Sequence, residues 1–179
     1  MAKKVLILSG SPRKGGNTDI LCDRFADGAR EAGHQVEKVR VCDLNIAYCT
    51  GCDSCVKTGK CVKKDDSQMV NAKMKEADVI VLASPVYFYT IDAQIKTLID
   101  RTVPEYQSMT GKDFYYIVAA ADPDPEMLEL AVECFRGFAR DCVEDSHECG
   151  VIKATGVWEK GSVEGTPFPE QAYKMGLSV

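Results

Sequence analysis

Two short runs, apolar at every position, constrain this chain more than any other feature. They are Val5-Leu6-Ile7-Leu8, ended by Ser9-Gly10-Ser11-Pro12, and Val79-Ile80-Val81-Leu82-Ala83, ended by Ser84-Pro85. A strand apolar on both faces belongs in a parallel sheet covered by helices on each side. Between and after them the period switches to that of a helix. Leu21, Phe25, Ala29 and Ala32 form one stripe that Gly33 stops, and Val70, Met74 and Ala77 form a second behind a capping Asp66. Ile91, Ile95, Leu98 and Ile99 form a third. A fourth, Met127, Ala131, Cys134, Phe138 and Cys142, opens at Asp124-Pro125-Glu126. Phe114 to Ala121 and Val151 to Val157 read as further strands, and Val36 to Val41, interleaved with Glu37, Lys38 and Arg40, as an exposed strand near the sheet edge.

Five strands alternating with helices predict an α/β fold, a doubly wound five-stranded parallel sheet in the order 2-1-3-4-5. At 179 residues this is one domain, 1–179. The apolar and charged fractions, 45% and 27%, exclude a disordered or fibrous chain. A net charge of -5 argues against nucleic-acid and anionic-membrane partners, which would repel it. No apolar run approaches the ~18 residues of a membrane span, and Met1-Ala2-Lys3-Lys4 leads into only a short one, so a cytoplasmic protein is expected. Reduced thiols follow for the nine cysteines, and the scattered ones, Cys22, Cys42, Cys134, Cys142 and Cys149, read as small core residues.

The segment Gly10-Ser11-Pro12-Arg13-Lys14-Gly15-Gly16-Asn17-Thr18 lies where the first strand gives way to the first helix. Free N–H groups and the helix dipole favour an anion there. Ser11, Asn17 and Thr18 add hydrogen bonds, and Arg13 adds a cationic fork. The segment lacks both the Gly-Lys-Ser/Thr ending of a nucleotide-hydrolysing loop and the G-x-G-x-x-G of a dinucleotide fold. An ordinary Gly-rich turn explains its shape, but not a guanidinium, an amide and two hydroxyls together.

With this loop and with Ser84-Pro85-Val86-Tyr87-Phe88, followed by a helix ending Ile99-Asp100-Arg101, the chain resembles the NADPH-dependent FMN reductase and iron-sulfur flavoprotein group of the flavodoxin-like superfamily. The resemblance extends over nearly the whole chain, including a closing segment around Glu159-Lys160-Gly161-Ser162. It implies an FMN phosphate held by Ser11, Arg13, Gly16, Asn17 and Thr18. It also implies a flavin ring beside Pro85, Val86, Tyr87 and Phe88, with Ala121 and Asp122 of the loop after the fourth strand reaching the same crevice. The loop after Pro85 faces the phosphate loop across the switch point, and its aromatic run suits a flat, partly apolar slot.

Cys49-x-x-Cys52-x-x-Cys55 followed by Cys61 is the most specific chemical signal in the chain. It lies in a cysteine-rich loop, about 47–64, that follows the second strand. Three soft ligands at two-residue gaps and a fourth returning through Gly59 suit a four-iron, four-sulfur cluster. This resembles the compact motif of the iron-sulfur flavoproteins, with a longer last gap than the bacterial ferredoxin run. Zinc bound by four thiolates and four free thiols without metal are the two other readings of the same residues. Lys57, Lys60, Lys63 and Lys64 would offset the charge of a thiolate-bound cluster.

Neither His34 nor His147 falls in a pattern for nucleophilic catalysis, and no catalytic side chain is expected. The reading is an FMN-dependent oxidoreductase that takes electrons from NAD(P)H and passes them to a quinone-like small molecule or a redox protein, directly or through the cluster. The alternative is a non-enzymatic electron carrier that docks to redox partners. The resemblance implies a homodimer or homotetramer.

Overall fold

A computed structural model describes all residues, 1–179. Six strands form one sheet in the order β2-β1-β3-β5-β6: β1 (Lys4–Ser9), β2 (Gln35–Arg40), β3 (Val79–Tyr87), β5 (Asp113–Ala119) and β6 (His147–Ala154), with β4 (Thr90–Ile91) paired to β3. The five-strand expectation therefore needs correction. The five parallel strands follow the 2-1-3-4-5 order among themselves, but β4 is an added antiparallel strand folded back on the end of β3, Tyr87 opposite Thr90. No helix is long and apolar enough to cross a membrane.

The alternation of side chains along each strand divides the core in two. Leu6, Leu8, Ile80, Leu82, Phe114 and Tyr116 face α3 (Ser67–Glu76), α4 (Ala93–Asp100) and α5 (Glu129–Cys142). Val5, Ile7, Val79, Val81, Tyr115 and Ile117 face α1 (Asn17–Glu31) and α6 (Phe168–Leu177). A two-sided cover is why β1 and β3 are apolar throughout, while β2, at the edge, is only half-buried.

Four local expectations change. β3 runs through Pro85 to Tyr87 instead of ending at Ser84-Pro85, because β1 has already turned away at Gly10 and Pro85 has only β5 as a parallel neighbour. Asp66 does not cap α3: its carboxylate accepts the Asn45 N–H, and Asp65 takes the Ser67 N–H and hydroxyl instead. The α5 stripe is Ala131, Val132, Phe135, Phe138 and Ala139, with Met127 and Cys142 exposed. Of the scattered cysteines only Cys22 is buried; Cys42 and Cys134 are half-buried and Cys142 and Cys149 are exposed. The cysteine-rich loop contains one short helix, α2 (Ser54–Thr58).

Candidate functional site

The turn between β1 and α1 is held by its own backbone. Gly10 N–H donates to the Ala83 carbonyl on β3 (2.8 Å), Gly16 N–H to the Arg13 carbonyl (2.9 Å), and Arg13 N–H to Ser11 Oγ (3.3 Å). A Cβ on Gly16 would lie 2.9 Å from that Arg13 carbonyl oxygen, so only glycine closes the turn this tightly. Asp19 accepts the Gly15 N–H at 2.7 Å and stands beside Lys38 and Arg40. Burial alone would raise its pKa, but the Gly15 N–H and the two cations outweigh burial and lower it. Asp19 is thus a fixed anion that shapes the loop from behind. The N–H groups of Asn17, Thr18 and Asp19, at the start of α1, have no partner within the helix and carry its positive dipole end.

The side chain of Asn17 is engaged elsewhere. Its Nδ2 donates to the carbonyls of Val157 (3.3 Å) and Glu159 (2.9 Å), and its Oδ1 accepts the Val163 N–H (3.2 Å). Asn17 therefore straps the segment 157–163 over the loop with its side chain. Arg13 Nη1 donates to the Trp158 carbonyl at 3.3 Å. The strap also delivers Lys160, whose Cε and Nζ lie 3.6 and 3.9 Å from where a Cβ on Gly15 would stand.

A cavity of about 330 Å³ opens at the carboxyl ends of β1, β3 and β5. It brings together Ser11, Arg13, Asn17 and Thr18 with Pro85, Val86, Tyr87, Phe88 and Ala121, all from the sequence reading. Gly16 and Asp122 stay outside its wall. Asp122 instead shapes the third loop, where its carbonyl accepts the Gly156 N–H and its carboxylate the Asp124 N–H, both at 2.9 Å. Ala119, Ala120, Val157 and Trp158 complete the lining. Sequence reasoning missed Val157 and Trp158, which belong to no motif; the one signal was that Trp158 is the sole tryptophan. No carboxylate, imidazole or thiol lines the cavity.

The mouth is aromatic. Phe88 and Tyr89 form a two-residue hairpin between β3 and β4 with φ of 48° and 67°, a conformation that normally selects Asn and Gly. The turn holds Phe88 98% exposed at the rim, and Trp158 is 67% exposed.

The cysteine segment leaves the sheet beyond β2. In this structure Cys49 lies on a groove against α4 and α5, while Cys61 lies in a separate cleft with Gln68 and Asn71, so the four sulfurs do not converge on one point. Their chemistry is that of a soft-metal donor set. Cys52 sits at the start of α2, where the Ser54 N–H and hydroxyl hold its thiol below the ordinary range. The stem is tied at both ends: Asp65 accepts the Ala47 N–H at 3.1 Å and pairs with Arg101 at 2.7 Å. Burial raises the Asp65 pKa, but Arg101, Ser67 and Ala47 outweigh burial and bring it down to about 2.

Residues 3–126 match the family model of NADPH-dependent FMN reductases. An iron-sulfur flavoprotein of Archaeoglobus fulgidus is 40% identical over 63% of this chain and 51% of its own length. One from Methanocaldococcus jannaschii is 44% identical over 56% and 52%. The chain thus spans about half the length of these curated relatives. Among solved structures, an azoreductase from Bacillus anthracis superposes with a TM-score of 0.75 over 100% of both chains at 18% identity. An NAD(P)H:quinone oxidoreductase from Methanothermobacter marburgensis gives 0.73 over 99% and 96% at 15% identity. These two share the fold. With a matching family model over most of its length, and a cavity at the carboxyl edge of a parallel sheet between the loop after β1 and the end of β3, the chain belongs to the NADPH-dependent FMN reductase family.

Proposed function

We propose that this chain is the flavin-binding unit of an FMN-dependent oxidoreductase that takes electrons from NAD(P)H and hands them to a quinone-like or protein acceptor. One observation carries the reading: a helix-start anion cradle and a flat apolar slot meet in a single cavity. The residues fit FMN. A phosphate would take the N–H groups of Asn17, Thr18 and Asp19, the Ser11 hydroxyl and the Arg13 guanidinium, with Lys160 close by. Pro85, Val86, Ala120 and Val157 would exclude water from the ring.

When bound, FMN supplies the hydride and electron chemistry. The chain supplies position and field. At about 330 Å³ the cavity is at the lower end for one ligand, so donor and acceptor would use the mouth in turn, beside Phe88 and Trp158. This predicts ping-pong kinetics.

The cysteine segment supports a cluster reading by its donors: four thiols, one of them acidified by a helix start and another receiving a guanidinium N–H. Cys49, Cys52, Cys55 and Cys61 would hold a four-iron, four-sulfur cluster, which supplies one-electron transfer. The test is anaerobic purification with an absorption spectrum, iron, zinc and sulfide analysis and FMN titration, followed by NADPH and NADH oxidation with a quinone acceptor. Colourless folded protein that takes up no FMN overturns the reading. Flavin without turnover above that of free FMN favours the electron carrier, for which the exposed Phe88 and Trp158 would be a docking rim.

A further inference from the structure

Asp92 and Ser84 are both 0% exposed and line no part of the cavity. Asp92 nevertheless touches the two residues directly behind the wall. Ser84 precedes Pro85 and Gly10 precedes Ser11, both wall residues, and a Cβ on Gly10 would overlap the two carboxyl oxygens of Asp92.

Two acceptors compete for one hydroxyl proton. Ser84 Oγ accepts the Asp92 N–H at 2.8 Å, and it lies 3.1 Å from Asp92 Oδ2 and 2.6 Å from the Pro85 carbonyl oxygen. A hydroxyl has one proton to give and two lone pairs. With the carboxyl ionised, Oδ2 is the stronger acceptor and claims that proton. With the carboxyl protonated, its O–H donates to the second lone pair of Ser84, and the Ser84 proton passes to the Pro85 carbonyl. Oδ1 already accepts the Ile95 N–H at 2.9 Å, which leaves Oδ2 to take the proton.

We propose that Asp92 is a positioning residue for the bound flavin: one proton taken up by its carboxyl turns the Ser84 hydroxyl onto the Pro85 carbonyl at the cavity wall, and that uptake is linked to reduction of the FMN. The physical reason is charge. Electrons entering the cavity add negative charge, which repels a carboxylate behind the wall with little water to screen it, and a proton drawn from solvent onto Asp92 removes the repulsion. Burial already biases this carboxyl toward its neutral form. No cation offsets that bias: the groups facing Asp92 are Gly10, Ser84 and the N–H groups of Gln94 and Ile95. Charged groups on the surrounding elements are engaged elsewhere. Lys96 of α4 pairs with Asp100, Asp43 of the turn Val41–Asp43 with Arg40, and Glu129 of α5 with Lys153 and Arg136, while Cys42 donates to the Ser11 carbonyl. The proposal rests on the FMN reading above.

The experiment compares three full-length proteins loaded with FMN: wild type, Asp92→Asn and Ser84→Ala. Asparagine can place an N–H where the acid O–H would be, and so holds the protonated arrangement at every pH. The midpoint potential of bound FMN is measured from about pH 4 to 8, across the range a raised carboxyl titrates. Reduced-minus-oxidised infrared spectra report carboxyl protonation, and Tm reports folding. At the alkaline end, the reduction equilibrium of Asp92→Asn should lie about tenfold further toward reduced FMN than wild type, about 30 mV for a two-electron couple. The difference should close as pH falls, because wild type then carries the same proton. A carboxylic-acid carbonyl band should grow on reduction in wild type and be missing from Asp92→Asn. In Ser84→Ala the carboxylate loses a donor, so its band should persist to higher pH. Wild-type and Asp92→Asn potentials that run parallel across the range, with no acid band on reduction, overturn the proposal whatever happens to Tm or FMN affinity. Should Asp92→Asn fail to fold, the wild-type band and its displacement in Ser84→Ala decide, and an absent band overturns the proposal. Folded wild-type protein that binds no FMN overturns the FMN reading, and the role for Asp92 with it.

Discussion

A Cβ on Gly10 would stand 2.4 Å from Asp92 Oδ2 and 2.6 Å from Oδ1, so the first residue after β1 packs its bare α-carbon against a buried carboxyl group. Asp92 caps α4, taking the Ile95 N–H on Oδ1 at 2.9 Å, and joins Ser84 within β3 through Ser84 Oγ, which lies 3.1 Å from Oδ2 and accepts the Asp92 N–H at 2.8 Å. One side chain thus ties β1, β3 and α4 together beneath the cavity.

Gly10→Ala should therefore destabilise the fold. The neighbour is a capped, buried group that cannot swing aside, so the cost is that of overpacking, about 1–3 kcal/mol. For a chain of this size that corresponds to a Tm lower by roughly 2–12 °C. Scanning calorimetry would read it. A Tm equal to wild type would mean that Asp92 moves freely.

Burial raises the Asp92 pKa above its ordinary 3.8, against the lowering effect of the Ile95 and Gln94 N–H groups and the Ser84 hydroxyl. For an acid raised in the folded state, the associated stability is complete below 3.8 and is lost as pH climbs through the folded value. Asp92→Asn keeps the Oδ1 acceptor for Ile95 and removes the titration. The variant should gain in Tm relative to wild type as pH is raised from 4 towards 8 (about four pH units, well past the ordinary carboxylate range). A Tm difference independent of pH would show that the carboxyl does not titrate with folding.

Arg13→Ala should weaken FMN binding about 10- to 100-fold, the range for losing one charged hydrogen bond to a dianion. Lys160→Gln should weaken it less, by roughly threefold, since an exposed ammonium is screened. Fluorescence titration at two salt concentrations separates them: the Lys160 effect should shrink at high salt. Affinity unchanged in both would remove the phosphate from this loop.

Phe88 and Tyr89 both hold positive φ. For residues other than glycine and asparagine this costs about 1–2 kcal/mol each. Replacing them with the Asn-Gly pair that such a hairpin prefers should raise Tm by several degrees while raising KM for a quinone acceptor, because the rim loses its stacking surface. A variant that is more stable and equally effective would leave the aromatic pair without a role in acceptor binding.

Much of this was legible in advance where the determinant was local. Uninterrupted apolar runs at Val5 and Val79 demanded a sheet covered on both sides, and Gly10 to Thr18 marked the turn from β1 into a helix start, which is polar whatever packs around it. Local patterns erred where a neighbour distant in sequence intervened. Asp66 had the position of a cap, but Asn45 takes its carboxylate and Asp65 does the capping. Pro85 looked like the end of a strand, yet the departure of β1 relieves β3 of any need for its N–H.

The amino-acid order alone determined the strand and helix periods, the Gly-rich turn after β1 and the supply of thiols, since each depends on spacing along one stretch of chain. Only the folded structure decided that Asn17 would fasten a segment 140 residues away, that Trp158 would stand at the cavity mouth, and that Arg101 would reach across 40 residues to Cys61. Those pairings come from how helices packed on both faces of one sheet bring distant loops together, and no periodicity within either partner encodes them.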